Sequence, residues 1–214
     1  MTTINFYYSL RSPYSRLALP KLRSLTDRLD VAIEARPVYP LAIREPDFFE
    51  RNHPNWLRYT LLDVRRIAEA EGIAMGPPRP DPIVQDIATR RIAPDQPYIF
   101  PLVRMAQAAA RHGYGFAYAQ AVMTMIWGGV ADWNEGDHLA RTLAAAGLDH
   151  AALAREAEDD AEVLDAEIAA NQSALEAAGH WGVPTLVIDG EPFFGQDRIA
   201  LAEWRLRQNG VAER

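Results

Sequence analysis

The chain has 214 residues, 49% hydrophobic and 24% charged, a composition that excludes a disordered protein and allows one sizeable core, with or without a large insertion. Its net charge of -7 argues against wrapping nucleic acid, which needs a concentrated basic face, and no RNA-binding motif or zinc spacing offsets that balance. Cysteine is absent, so disulfides, a thiol nucleophile and a CxxC redox couple are excluded, and any sulfur chemistry must use the sulfur of a ligand.

No segment reaches the roughly 18 apolar residues of a membrane span, and the start lacks a charged lead followed by a long apolar core. A cytoplasmic protein without membrane contact is expected. Lys21 is the single lysine beside 21 arginines, a bias that reflects the base composition of the source rather than phosphate recognition.

Ile4 to Tyr8 predicts a first strand. Ser12 at N-cap and Pro13 at the first helical position then predict a helix start, continued by Leu17, Leu19, Leu22, Leu25 and Leu29, with Pro20 expected to kink the helix or end its first part. Val31 to Val38 predicts a second strand, which completes a βαβ unit with a right-handed crossover.

Helical patterns follow over Trp56 to Glu71, Tyr98 to His112, Phe116 to Trp127, Asp137 to Ala146 and Ala151 to Ala178, the last broken near Asp159-Asp160. The proline-rich stretch from Met75 to Pro82 reads as a semi-rigid connector that could border a pocket. Thr185 to Ile188, the turn signal Asp189-Gly190 and the return strand Pro192 to Phe194 predict a hairpin before a last helix from about Asp197 to Asn209. The order β-α-β, then β-β-α, is that of a thioredoxin-type fold. The expected organisation is a thioredoxin-like domain from residues 1–42 and 180–214, with a helical insertion, 43–179, packed on it.

Ser12 is the first candidate for chemistry. A helix amino terminus presents free N–H groups and positive potential, so a serine hydroxyl there serves either as a plain cap or as a hydrogen-bond donor to a bound thiolate. Pro184 at the head of a strand is either a trans strand start or a cis proline that exposes the preceding backbone. Asp197, at the start of the last helix, either caps it or pairs with an amino group of a ligand. Histidines 53, 112, 138, 150 and 180 show no metal-ligand spacing, so no metal is expected, and Asp132, Glu135, Asp137 and His138 read as a capped helix start. No Ser-His-Asp spacing supports a hydrolase.

Ser12-Pro13-Tyr14-Ser15 after a first strand, Arg58-Tyr59 followed by Asp63 and Arg65-Arg66, Trp181-Gly182-Val183-Pro184-Thr185, and Phe193-Phe194-Gly195-Gln196-Asp197-Arg198 together resemble the 2-hydroxychromene-2-carboxylate isomerase family, related to kappa-class glutathione transferases and DsbA. The resemblance covers essentially the whole chain. It implies an α/β, DsbA-like thioredoxin fold, glutathione as cofactor, a homodimer, and a small hydrophobic or aromatic substrate.

By position, it implies that Ser12 is catalytic and hydrogen-bonds the glutathione sulfur, and that Val183, before the cis Pro184, pairs its backbone with the cysteinyl part. Gln196 and Asp197 would bind the γ-glutamyl end, with Arg198 in support. The thiolate would add to a conjugated carbonyl, permit rotation and leave again. A kappa-like transferase, in which glutathione stays attached, is the alternative reaction, and a non-catalytic thioredoxin-fold module that binds a peptide or small acid is the alternative of another class.

Trp56 stands where the family leads us to expect a lysine, and Val103 or Arg104 where an asparagine is usual. Both positions belong to the substrate side. Ser15, Asn52, His53, Trp56 and Tyr59 are the expected substrate-pocket residues.

Overall fold

A computed structural model describes residues 1–86, 88–89 and 91–214, with the backbone alone at Pro54. Strands β1 (Thr2–Tyr8) and β2 (Val31–Pro37) run parallel, Thr2 opposite Val31 and Tyr8 opposite Pro37. β3 (Thr185–Ile188) lies antiparallel on the other side of β1, and β4 (Glu191–Phe194) antiparallel to β3, giving the order β2-β1-β3-β4. Pro192 falls on the edge strand, where its missing N–H costs no ladder bond.

The sheet is apolar on both faces. Ile4, Phe6 and Tyr8 alternate along β1 into the main core, while Tyr7 and Val187 point the other way against Leu175. Strands buried on both sides need helices over both faces, and the intervening helices supply them.

Helix α1 (Pro13–Arg28) crosses between β1 and β2. Pro20 lies inside it and does not end it. The proline ring is exposed and removes one N–H donor, while Leu17, Leu19, Leu22 and Leu25 remain buried on either side of it and carry the helix through.

Short helices α2 (Leu41–Arg44) and α3 (Phe48–Arg51) precede α4 (Pro54–Ala70). Then come α5 (Ile99–Arg111), α6 (Gly115–Trp127), α7 (His138–Ala145), α8 (His150–Asp159) and α9 (Ala161–Ala177), with the predicted break at Asp160. Asp137 stands at the N-cap of α7 without capping it, because its carboxylate pairs with Arg141 at 3.1 Å. A 3-10 turn (Gln196–Arg198) leads into α10 (Ile199–Gln208).

Helices α5, α6 and α9 pack on β2, α4 and α6 pack on α1, and the buried residues of α5 and α6 form one continuous cluster with Phe6, Leu22 and Leu206. Among the described residues no helix is long and apolar enough to cross a membrane.

Candidate active site

Strand directions bring four chain ends to one rim. The carboxyl ends of the parallel β1 and β2 lie side by side, with the Val38 amide donating to the Tyr8 carbonyl at 2.9 Å. Tyr7 is paired with Thr185, so the entry into β3 meets the exit from β1, and the amide of Gly195, just after β4, donates to the carbonyl of Pro184 at 2.9 Å. Ser12, Val183-Pro184 and Gln196–Arg198, more than 180 residues apart at the extremes, therefore share one end of the sheet.

At this rim Ser12 is the N-cap of α1, and its Oγ accepts from the Ser15 amide at 3.1 Å. The capping role is real, and it leaves the hydroxyl proton for another acceptor. The loop before Ser12 is held from the helical segment. The Trp127 indole N–H donates to the Leu10 carbonyl at 2.9 Å, and Arg11 grips Asp81 through two bonds of 2.7 and 2.8 Å. Behind Ser12, the Tyr14 hydroxyl donates to Asp63 of α4 at 2.8 Å. Burial first, then this bond, push the Tyr14 phenol well above its usual range, with Tyr59 and Asp197 close enough to add to the effect.

The Val183–Pro184 peptide is cis. Among the described residues no hydrogen bond engages the backbone of Val183, and the ladder to β1 begins only at Thr185. The loop before it is packed by rings. His180 stacks on Phe194 at 3.9 Å and accepts the Gly182 amide at 2.9 Å, and a Cβ on Gly182 would meet Phe194 at 2.8 Å. Trp181 contacts Phe48 edge-on at 6.4 Å, Phe48 contacts Trp56 at 5.3 Å, and Arg11 lies over the Phe49 ring at 5.4 Å. Helix α3 thus bridges the Ser12 loop and the Val183 loop. Arg44 ties the same region together, donating to the Tyr39 and Trp181 carbonyls at 2.7 and 3.3 Å.

An open cleft of about 430 Å³ is lined by the aromatic Phe48 and Trp181 and the polar Glu45, Arg51 and Asn52. A second, of about 480 Å³, lies beyond the 3-10 turn and includes Lys21, Ser24, Gln196, Asp197 and Glu203. There Lys21 bonds the Gln196 oxygen and pairs with Glu71 at 2.7 Å. The Gln196 amide NH2 is left as the group available to a ligand. Asp197 and Arg198 form an exposed pair at 2.6 Å.

The residues expected around the substrate separate into four environments. Asn52 lines the α3 cleft, donating to the Phe48 carbonyl at 2.6 Å, and Trp56 belongs to the ring cluster beside it. Tyr59 is 60% exposed one turn further along α4, on the side of Tyr14 and Asp63. His53 caps α4, its Nδ1 accepting from the Asn55 amide at 3.2 Å. Ser15 is a correction. It is 0% exposed, and its Oγ faces the Ser9 amide, so it does not line a pocket. Three residues past an N-cap, a side chain turns under the first turn rather than out of it.

Val103 is buried in the core, and Arg104 pairs with Asp165 at 2.6 Å, so neither replaces the expected asparagine as a free amide. Sequence reasoning missed Arg11, Phe48, Phe49, Lys21 and Asp81. The adjacent aromatic pair at 48 and 49 was a readable signal, whereas the partners of Arg11 and Lys21 were not. Among the described residues no cluster of His, Asp and Glu could hold a metal ion.

A comparison with curated proteins returns no match. Among solved structures, 2-hydroxychromene-2-carboxylate isomerase is similar over 97% of this chain and 98% of that one, with a TM-score of 0.71 and 21% identity. A probable DsbA oxidoreductase from Streptomyces coelicolor is similar over 97% of this chain and 89% of that one, with a TM-score of 0.68 and 16% identity. The cytosolic disulfide reductase DsbM from Pseudomonas aeruginosa, with GSH, is similar over 96% of this chain and 99% of that one, with a TM-score of 0.59 and 18% identity. At these identities the likeness is one of fold. Residues 3–207 match the DSBA-like thioredoxin domain, and with the sheet order, the cis Pro184 and the helical segment already described, the chain belongs to that family.

Proposed function

We propose that this protein is a cytoplasmic, glutathione-dependent isomerase of the 2-hydroxychromene-2-carboxylate isomerase type, acting on a hydrophobic or aromatic conjugated carbonyl compound. The observation that carries this reading is Ser12 at the amino end of α1, in a chain with no cysteine. A thiol-disulfide exchange needs a protein thiol that this chain lacks, whereas a hydroxyl at a helix amino end suits a thiolate brought by a ligand. Ser12 donates to that sulfur, and the helix end lowers its pKa. The Val183 backbone, unengaged before the cis bond, suits pairing with the cysteinyl unit, and the Gln196 amide with Asp197 suits the γ-glutamyl end.

In the reaction, the thiolate adds to the conjugated carbon, the former double bond becomes a single bond and rotates, and expulsion of the thiolate restores the double bond. Glutathione is regenerated. The α3 cleft, with Phe48 and Trp181 in its lining and Trp56 packed edge-on against Phe48, supplies apolar surface for an aromatic acceptor. The homodimer expected with this reading is checked by light scattering, at twice the chain mass of 23.9 kDa.

The test is a calorimetric titration with reduced glutathione, with thiolate absorbance followed in the ultraviolet, on the wild type and Ser12→Ala. Saturable binding with a thiolate signal that the variant loses is expected. No binding at millimolar glutathione would overturn the reading. A product that retains glutathione would make the enzyme a transferase.

A further inference from the structure

Most charged groups around the rim have partners, and Arg44, which makes no ion pair among the described residues, donates to the Tyr39 and Trp181 carbonyls. Arg11 holds Asp81, Lys21 holds Glu71, Arg198 holds Asp197, and Asp63 takes the Tyr14 hydroxyl. Arg16 is only 7% exposed, yet it makes no ion pair or side-chain hydrogen bond among the described residues, and its Nε is buried without a partner. The first turn of α1 contains no acidic residue. Burial pushes the Arg16 guanidinium below its ordinary range, with no carboxylate acting against it. An arginine remains protonated even so, and a buried cation without a counter-charge is costly to maintain. Ser9 Oγ and Tyr8 Oη, just upstream, are also buried without partners.

The position of Arg16 gives this charge a direction. Its amide donates to the Ser12 carbonyl at 3.1 Å, one helical turn on. Side chains four residues apart lie on the same helix face, and Cα–Cβ bonds tilt toward the amino end, so a long side chain at 16 covers the turn headed by Ser12. The helix end and the guanidinium therefore add their positive potential on one side of α1.

We propose that Arg16 is a carboxylate-binding residue of this site, receiving the carboxylate of a bound ligand beside Ser12. The chemistry is charge-assisted, bidentate recognition of a planar anion. The inference deepens the reading of the Ser12 site as the place where glutathione and an acceptor meet. The carboxylate belongs either to the acceptor or to glutathione, and the experiment separates the two.

Binding of trans-cinnamate, its neutral analogue cinnamamide, reduced glutathione and glutathione diethyl ester is measured by calorimetry on the wild type, Arg16→Met and Arg16→Lys. Arg16→Met is expected to lose about 10- to 100-fold in affinity for the carboxylate partner, while the neutral counterpart is unaffected and Arg16→Lys retains part of the preference. If cinnamate loses affinity and glutathione does not, the acceptor supplies the carboxylate. The converse assigns it to glutathione.

Equal binding of all four probes by wild type and a folded Arg16→Met overturns the proposal. Should Arg16→Met not fold, the Arg16 Nε–H resonance of the wild-type protein decides. A shift on adding cinnamate or glutathione, but not their neutral analogues, supports the assignment, and no shift at saturation ends it. Failure of glutathione to bind the wild type removes the isomerase reading alone, because the cinnamate and cinnamamide pair still judges Arg16.

Discussion

Trp127 donates its indole N–H to the carbonyl of Leu10 at 2.9 Å, across 117 residues, two positions before Ser12. The last residue of α6 thus fixes the loop that sets the start of α1. Trp127→Phe removes the donor and leaves a buried carbonyl unpaired, at a cost of about 1 to 3 kcal/mol. Denaturant unfolding should report that loss, and glutathione affinity should fall with it. Unchanged stability would show that water replaces the indole.

Gly195 has φ 109, and a Cβ there would stand 2.5 Å from Asp197 Oδ1. Gly195→Ala should therefore cost about 1 to 3 kcal/mol in backbone strain alone and displace Asp197. Thermal unfolding and a glutathione titration check the two effects separately. Intact glutathione binding in a destabilised variant would separate Asp197 from the ligand.

Ser12→Cys places a single thiol in a cysteine-free chain. At the end of α1, with Arg16 one turn on, it should titrate below the ordinary value of about 8.5. The rate of alkylation by iodoacetamide against pH reads this directly. A midpoint at or above that value would deny the rim its positive potential.

Trp56→Lys removes a ring that meets Phe48 at 5.3 Å and Phe49 at 5.9 Å. Each such pair contributes about 0.5 to 1.5 kcal/mol, so a modest loss of stability is expected. The larger effect should be on acceptor choice, with KM for apolar aromatic acceptors rising more than kcat changes. A parallel fall in kcat alone would move Trp56 out of acceptor binding.

Alkaline conditions should destabilise the fold. Burial raises the Tyr8, Tyr14, Tyr39 and Tyr118 phenols, and hydrogen bonds to Asp63 and Asp165 raise Tyr14 and Tyr39 further. Below about pH 10 these groups are neutral in both states, so their stabilising effect is fully present. Above it the unfolded chain loses protons first, the native state binds more, and stability falls as pH rises. Urea midpoints from pH 8 to 11, with phenolate absorbance, test the sign. Urea midpoints that hold level from pH 8 to 11 would contradict it.

Local chemistry made much of this protein legible in its sequence. Ser12-Pro13 fixes the start of α1, because one side chain caps the free amides and the other presets φ. Asp189-Gly190 fixes the hairpin, since Asp189 has φ 49 and Gly190 φ 85. The absence of cysteine decided that any active sulfur must come from a ligand. Pro20 does not end α1, the second of the two outcomes its position allows, because apolar burial along the rest of the helix outweighs one missing N–H.

Tertiary structure alone decided what stands around Ser12. Trp127, Asp81 and Asp63 reach its neighbours Leu10, Arg11 and Tyr14 from the helical segment, and no periodicity records which distant carbonyl or guanidinium a side chain will meet. The same holds for Arg16. A sequence shows that an arginine is present, whereas only the fold shows that this one is buried with no ion pair or side-chain hydrogen bond among the described residues.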